Sequence, residues 1–133
     1  MKVAVADTHA IVWYLYNDSR LSDTARAFIE AAAGRDDQVV VSAISMVEMV
    51  YLIEKGRIPA ETLSRLEREL QDSTSLLIES PVNLLVARAL VQVERAQIPD
   101  MPDRIVAATA LHLGVPVISR DARIHASNIQ TIW

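Results

Sequence analysis

The sequence contains no cysteine, which excludes disulfides and cysteine-ligated zinc or iron sites. Its three histidines, His9, His112 and His125, lie far apart without metal-ligand spacing. A metal here would therefore be a hard ion held by carboxylates. Lysine is scarce, with only Lys2 and Lys55. No apolar run approaches the ~20 residues that span a bilayer. Positive charge is not in excess either: 13 Lys and Arg face 17 Asp and Glu, a net charge of −4, which does not advertise a nucleic-acid binder. Lys2 precedes an apolar run in the manner of a secretory leader. Asp7 and His9 interrupt that run, and no small-residue cleavage site follows. A cytoplasmic protein with no membrane segment is the expectation.

What the chain does have is apolar surface. Of its 133 residues, 51% are hydrophobic, which fits one domain over residues 1–133 burying about 68% of its unfolded surface. No internal repeat, low-complexity tract or linker divides it. Val3-Ala4-Val5-Ala6 reads as a strand buried on both faces, ending at Asp7-Thr8. Ala10 to Leu15 continues as an apolar helix. A second helix runs to Ala33 behind Ser22 or Asp23 as cap. Val39 to Val41 is the second strand, ending at Ser42, and Ile44 to Lys55 the third helix. Glu61 to Leu70 is amphipathic, with Leu63, Leu66 and Leu70 on one face. A strand over Ser75–Glu79, a helix over Leu84–Ala96, a helix over Asp103–Leu113 and a strand over Val115–Ile118 follow. Ile129 to Ile132 is a possible fifth, edge strand. Gly34, Gly56 and Gly114 fall where helices should stop. Strands alternating with helices call for a three-layer α/β/α sandwich with a central, mostly parallel sheet of four or five strands.

Taken singly, the acids have ordinary readings. Asp7 could cap the next helix, and Ser45 to Glu48 matches a capping box. Asp103 could be another cap, and Asp121 a turn residue. Taken together they converge. Asp7 and Asp121 follow two strands of one parallel sheet, so both belong at its carboxyl edge, where α/β proteins bind ligands. Glu48 lies early in the helix leaving the second strand, at the same edge. Asp103 opens a helix running antiparallel to the strands, which starts there too. Converging carboxylates repel unless a cation neutralises them, and an oxygen-only cluster suits Mg²⁺ or Mn²⁺.

These segments carry a resemblance. Ala6-Asp7-Thr8-His9-Ala10 with Trp13, Val41-Ser42-Ala43-Ile44-Ser45 with Glu48, Asp103 to Ala110, and Leu113-Gly114-Val115-Pro116-Val117-Ile118-Ser119-Arg120-Asp121 resemble, in order, the PIN domain, specifically its VapC-type toxin ribonucleases. The resemblance runs through almost the full length, with residues 58–98 contributing least. It implies Mg²⁺ or Mn²⁺ held by Asp7, Glu48, Asp103 and Asp121, and hydrolytic cleavage of RNA. It further implies a VapB-like antitoxin partner and a homodimer. Thr8 and Ser119 fall where relatives carry hydroxyls that orient water or a carboxylate. The family's frequent Asp-Pro-Phe-Asp is here Asp100-Met101-Pro102-Asp103, which keeps the spacing and makes Asp100 an accessory acid. Ala122, Arg123 and Ile124 supply no further acid after Asp121, which bears on a second metal.

The implied chemistry is attack by a metal-activated water, leaving 5′-phosphate and 3′-hydroxyl ends. Setting the four ligands aside from the 17 acids leaves 13, equal to the 13 Lys and Arg. Nothing global then opposes RNA. Arg104, Arg120 and Arg123 are candidate phosphate contacts, with ordinary solvated arginine as the alternative. His9 reads as packing or capping, and Trp13 and Tyr14 as core. Two rival functions are weighed. An aspartate-based phosphotransfer protein needs a nearby lysine, and Lys2 and Lys55 are badly placed. A non-enzymatic PIN-like binding module would not need all four acids.

Overall fold

The computed structural model describes residues 1–133. In chain order the strands are β1 (Lys2–Ala6), β2 (Gln38–Ser42), β3 (Leu77–Ser80), β4 (Val117–Ile118) and β5 (Thr131–Ile132). The helices are α1 (Thr8–Leu15), α2 (Asp23–Gly34), α3 (Ala43–Glu54), α4 (Thr62–Gln71), α5 (Leu84–Val91), α6 (Met101–Leu113) and α7 (Ala122–Ala126). The sheet has five strands in the order β3-β2-β1-β4-β5, every pair parallel. Its centre is β1, where Ala6 is in register with Val41 of β2 on one side and Ile118 of β4 on the other. The chain builds outward from β1 through β2 and β3, then crosses to the other side for β4 and β5. The crevice where strand order reverses is therefore at the carboxyl ends of β1 and β4.

Helices cover both faces, as a sheet of buried parallel strands requires. Successive residues of a strand point to opposite faces, and the core divides accordingly. Ala4, Ala6, Val39 and Val41 pack with Ile11 and Trp13 of α1, Leu21, Ile29, Met49 and Leu66. Val5, Val40 and Val117 pack on the other side with Val86, Ala89, Val106 and Ala110 of α5 and α6, and with Ile124 of α7. This is the three-layer α/β/α sandwich expected.

Several boundaries depart from the sequence reading, each for a local reason. The third helix starts at Ala43 because the Ser42 hydroxyl accepts from the Ile44 N–H at 3.2 Å. Ser45 is thus inside α3, and the capping box proposed for Ser45 and Glu48 does not form. The sixth helix starts at Met101, two residues before Asp103, because Asp100 caps it and Pro102 sits in the first turn, where no N–H is needed. The fifth ends at Val91 rather than Ala96. There the Arg104 side chain takes up the carbonyls of Leu90 and Val93 at 3.0 and 2.9 Å. The short α7, capped by Asp121, stands where the sequence suggests only a turn. Strands β4 and β5 keep only two paired residues each.

Of the three glycines, two end helices in the left-handed conformation: Gly56 at φ 69° and Gly114 at φ 68°. Gly34 is still helical, and the turn beyond it places Asp36 at φ 58° instead. A Cβ at Gly34 or Gly114 meets nothing within 4 Å, so backbone conformation alone decides the effect of substitution. Gly114→Ala is expected to lower stability by about 1 kcal/mol. Gly34→Ala is expected to raise it by roughly 0.5 kcal/mol, because alanine loses less freedom in a helix. Urea unfolding of both variants checks the opposite signs.

Candidate active site

Asp7 stands at the end of the central strand, only 7% exposed. One of its oxygens, Oδ1, accepts the Ala10 N–H at 2.9 Å, so the carboxylate does cap α1. Burial pushes its pKa up, with the nearby charge of Asp121 adding to the rise. The Ser119 hydroxyl, the Ala10 N–H and His9 pull it back down. Ser119 is fully buried at the end of β4, and its hydroxyl accepts the Asp121 N–H at 2.9 Å. It therefore links the Asp7 carboxylate to the backbone of Asp121 beyond the neighbouring strand. Asp121 in turn caps α7, its Oδ1 accepting from Arg123 N at 2.8 Å and Ile124 N at 3.1 Å.

Asp100 caps α6 by accepting the Asp103 N–H at 3.2 Å. Asp103 has no such role. Half-buried in the first turn of that helix, it is pushed up to about 7, first by desolvation and then by the charges of Asp100, Asp121, Asp7 and Glu48. That set names the whole cluster. Glu48 comes from the second turn of α3, and with the capping box gone its carboxylate has no hydrogen-bond partner in the protein.

Asp7, Glu48, Asp100, Asp103 and Asp121 line one pocket of about 330 Å³, together with His9, Trp13 and Arg120. All four acids singled out as ligands from the sequence, and the accessory Asp100, are thus brought together. No three of them are drawn in tightly enough to enclose an ion as they stand. The donor set is nonetheless carboxylate oxygen throughout, the chemistry that suits a hard divalent cation.

The remaining candidates divide. Arg120 lines the pocket, its guanidinium 4.6 Å from the Trp13 ring centroid. Arg104, also a candidate phosphate contact, does not: its guanidinium donates to Leu90 O at the end of α5 and to Val93 O just beyond it. Arg123 is exposed on α7 and does not line the pocket. Thr8 is also outside the lining; its hydroxyl donates to Ser45 Oγ at 3.0 Å and ties α1 to α3.

Sequence reasoning passed over two lining residues. His9 and Trp13, read as packing and core, stand four apart on one face of α1, with ring centroids 5.7 Å apart. That spacing, directly after Asp7, was the signal available. Trp13 is also fixed from behind, 5.8 Å from the Trp133 ring, and Arg20 lies 5.3 Å from its centroid.

Known proteins can now be set beside this geometry. Ribonuclease VapC22 of Mycobacterium tuberculosis is 29% identical over 138 residues, spanning 100% of both chains. Among solved structures, VapBC2 of Rickettsia felis, crystallised with a DNA fragment from its promoter, matches with a TM-score of 0.70 at 15% identity. That match covers 97% of this chain and 96% of the other. FitAcB of Neisseria gonorrhoeae matches at 0.63 and 20% identity over the same shares, 97% and 96%. At these identities the structural matches speak for fold. The family pattern that fits is the PIN domain, over residues 4–128. It takes in the central strand, both flanking layers and every acid of the pocket, and this chain belongs to the PIN domain family.

Proposed function

We propose that this protein is a Mg²⁺- or Mn²⁺-dependent endoribonuclease and the toxin member of a toxin–antitoxin pair. The observation that carries the reading is the pocket itself. Five carboxylates line one depression at the carboxyl edge of a parallel sheet, and burial, with their mutual repulsion added, pushes Asp103 up to about 7. A protein that only bound partners would gain nothing from so costly a cluster. Relatives support the same reading, since the curated one is named a ribonuclease and one structural match is a VapBC pair. No helix of the chain is long and apolar enough to cross a membrane.

Asp7, Glu48, Asp103 and Asp121 would hold the cation, which when bound supplies charge neutralisation at the phosphate and a water of lowered pKa. The protein's own groups do the rest. The carboxylates not fully used as ligands accept the proton of the attacking water. Ser119 ties the Asp7 carboxylate to the backbone that carries Asp121. Arg120, the one arginine lining the pocket, is placed to contact a phosphate oxygen of the substrate. Product ends are expected to be 5′-phosphate and 3′-hydroxyl. A VapB-like protein that covers the pocket, and a second copy of the chain, belong to the same reading as partners.

Cleavage of single-stranded RNA by the purified protein is the direct test. Activity with Mn²⁺ or Mg²⁺ is expected to fall at least about 100-fold in Asp7→Asn and to vanish with EDTA. Undiminished cleavage in either arm would overturn the metal mechanism.

The charge cluster also has a signature that does not depend on turnover. The folded-state pKa of Asp103 is raised from 3.8 to about 7, so the native state holds that proton more tightly than the unfolded chain. Stability is then lost as pH rises between those two values and levels off above. Asp7, also raised, acts in the same direction. In EDTA, the Tm is expected to fall between about pH 4 and about pH 7, and Asp103→Asn to flatten that fall. Added Mn²⁺ should recover Tm in the native protein at the higher pH and not at the lower. A steeper fall in Asp103→Asn would contradict the electrostatic account.

A further inference from the structure

Beside the carboxylate pocket lies a larger cleft of about 670 Å³ that the cleavage chemistry leaves unused. The two share a wall, because His9, Trp13 and Glu48 line both. Away from that wall the cleft is bounded by Tyr51, Lys55 and Arg57. The last two flank the turn that ends α3. There the Gly56 N–H donates to Ile53 O and the Arg57 N–H to Leu52 O, both at 2.9 Å, with Gly56 at φ 69°. A helix end closed by two such bonds is a fixed turn rather than a loose one. Lys55 and Arg57 are thus presented from a rigid base.

Neither takes part in an ion pair. The cleft's other arginine, Arg20, is already held by Asp18 at 2.7 Å. Charge across the cleft therefore runs from acidic at the shared wall to uncompensated basic at the far end. Between them Tyr51 stands 60% exposed. An exposed aromatic ring beside free cations is what single-stranded nucleic acids use: bases stack on the ring and the backbone follows the positive charge. The volume falls in the range of sites that enclose small organic ligands, the size class of a nucleotide.

We propose that this cleft is a subsite for single-stranded RNA. A nucleotide flanking the scissile phosphate stacks on Tyr51, and Lys55 and Arg57 hold the next phosphate along the strand. The inference rests on the ribonuclease reading and extends it from the cut to the path of the strand. A basic peptide would be drawn to the shared wall and repelled at the far end, whereas a strand neutralised at the cut by the cation fits both ends.

The test separates binding from turnover. Affinity for a short single-stranded RNA is measured by fluorescence anisotropy in EDTA over a range of salt, and KM and kcat are measured separately with Mn²⁺. The double variant Lys55→Glu/Arg57→Glu alters exposed, unpaired side chains, and its melting temperature checks that it folds. It is expected to bind at least about tenfold more weakly, with the log–log salt slope shallower by about 0.7 for each phosphate contact removed. KM should rise with it while kcat stays close to native. Tyr51→Ala is expected to weaken binding by about fivefold or more, and Tyr51→Phe to restore it. If the native protein cleaves RNA but these variants bind and cleave as it does, the subsite is overturned and the ribonuclease reading stands. If RNA affinity is kept while a co-purifying protein partner is lost, the cleft belongs to that partner and the inference is likewise overturned. No cleavage by the native protein at all would instead strike the ribonuclease reading beneath it.

Discussion

Like-charge repulsion at one end of a parallel sheet is the constraint around which this molecule is built. Three of the five pocket acids, Asp7, Asp100 and Asp121, are also the N-caps of α1, α6 and α7. Each uses an oxygen to accept helix N–H groups, 2.8 to 3.2 Å away. Helix N-termini carry partial positive charge and unsatisfied donors, so three helix ends are aimed at the place where negative charge collects. Capping a helix and lining the pocket, which compete as explanations when each residue is taken alone, are complementary. One oxygen anchors the carboxylate, and the other is left for the pocket. Asp103 shows the contrast. It has no cap to make, and burial together with the charges of the other four acids pushes its pKa up to about 7.

The second arrangement that matters is the aromatic wall on α1. Trp13 is 5% exposed, held between the core and the ring of Trp133. Its faces and edges meet His9, Arg20 and Arg120. A guanidinium resting on a ring keeps its N–H groups directed outward, unlike one engaged in an ion pair. Arg120 lies among five acids yet forms no ion pair with any of them. The indole thus offers the arginine an alternative to the carboxylates, which leaves both unpaired. The same wall separates the carboxylate pocket from the larger cleft, so one rigid element shapes both.

Much of this could be read from residue order. The buried strands announced themselves as runs of small or β-branched residues, and all of them pair in parallel. Convergence of Asp7, Glu48, Asp103 and Asp121 followed from topology, because carboxyl ends of parallel strands share an edge. What escaped was set by contacts between distant segments. Ser45 looked like a cap until its hydroxyl was needed by Thr8, 37 residues away. Arg104 looked like a phosphate ligand because it neighbours Asp103 in sequence. A helix turns about 100° per residue, so neighbours point in different directions, and Arg104 faces α5 while Asp103 faces the pocket. Gly34 looked like a helix stop, but the chain supplied its left-handed residue two positions later, at Asp36.

The core explains how so unfavourable a pocket can be held in place. Asp7 follows Ala4, Val5 and Ala6, all with no exposed surface, in a strand bonded on both sides. Its backbone N–H donates to Ile118 O at 3.0 Å, across to the strand that leads into Ser119 and Asp121. The acids cannot relax apart by moving their backbones without breaking the central ladder. Repulsion must then be relieved by protonation, by a cation, or by rotation of side chains such as Glu48, which lies on a helix and has no hydrogen-bond partner in the protein. That leaves the four acids unequal. Asp7 and Asp121 are fixed by the sheet and their caps, whereas Asp103 and Glu48, each on a helix with no hydrogen bond to its carboxylate, are the adjustable ones. The pocket thus has two set carboxylates at the sheet edge and two adjustable ones on α3 and α6, and relief of the repulsion by side-chain rotation falls to the helices, Glu48 moving on the wall shared with the larger cleft.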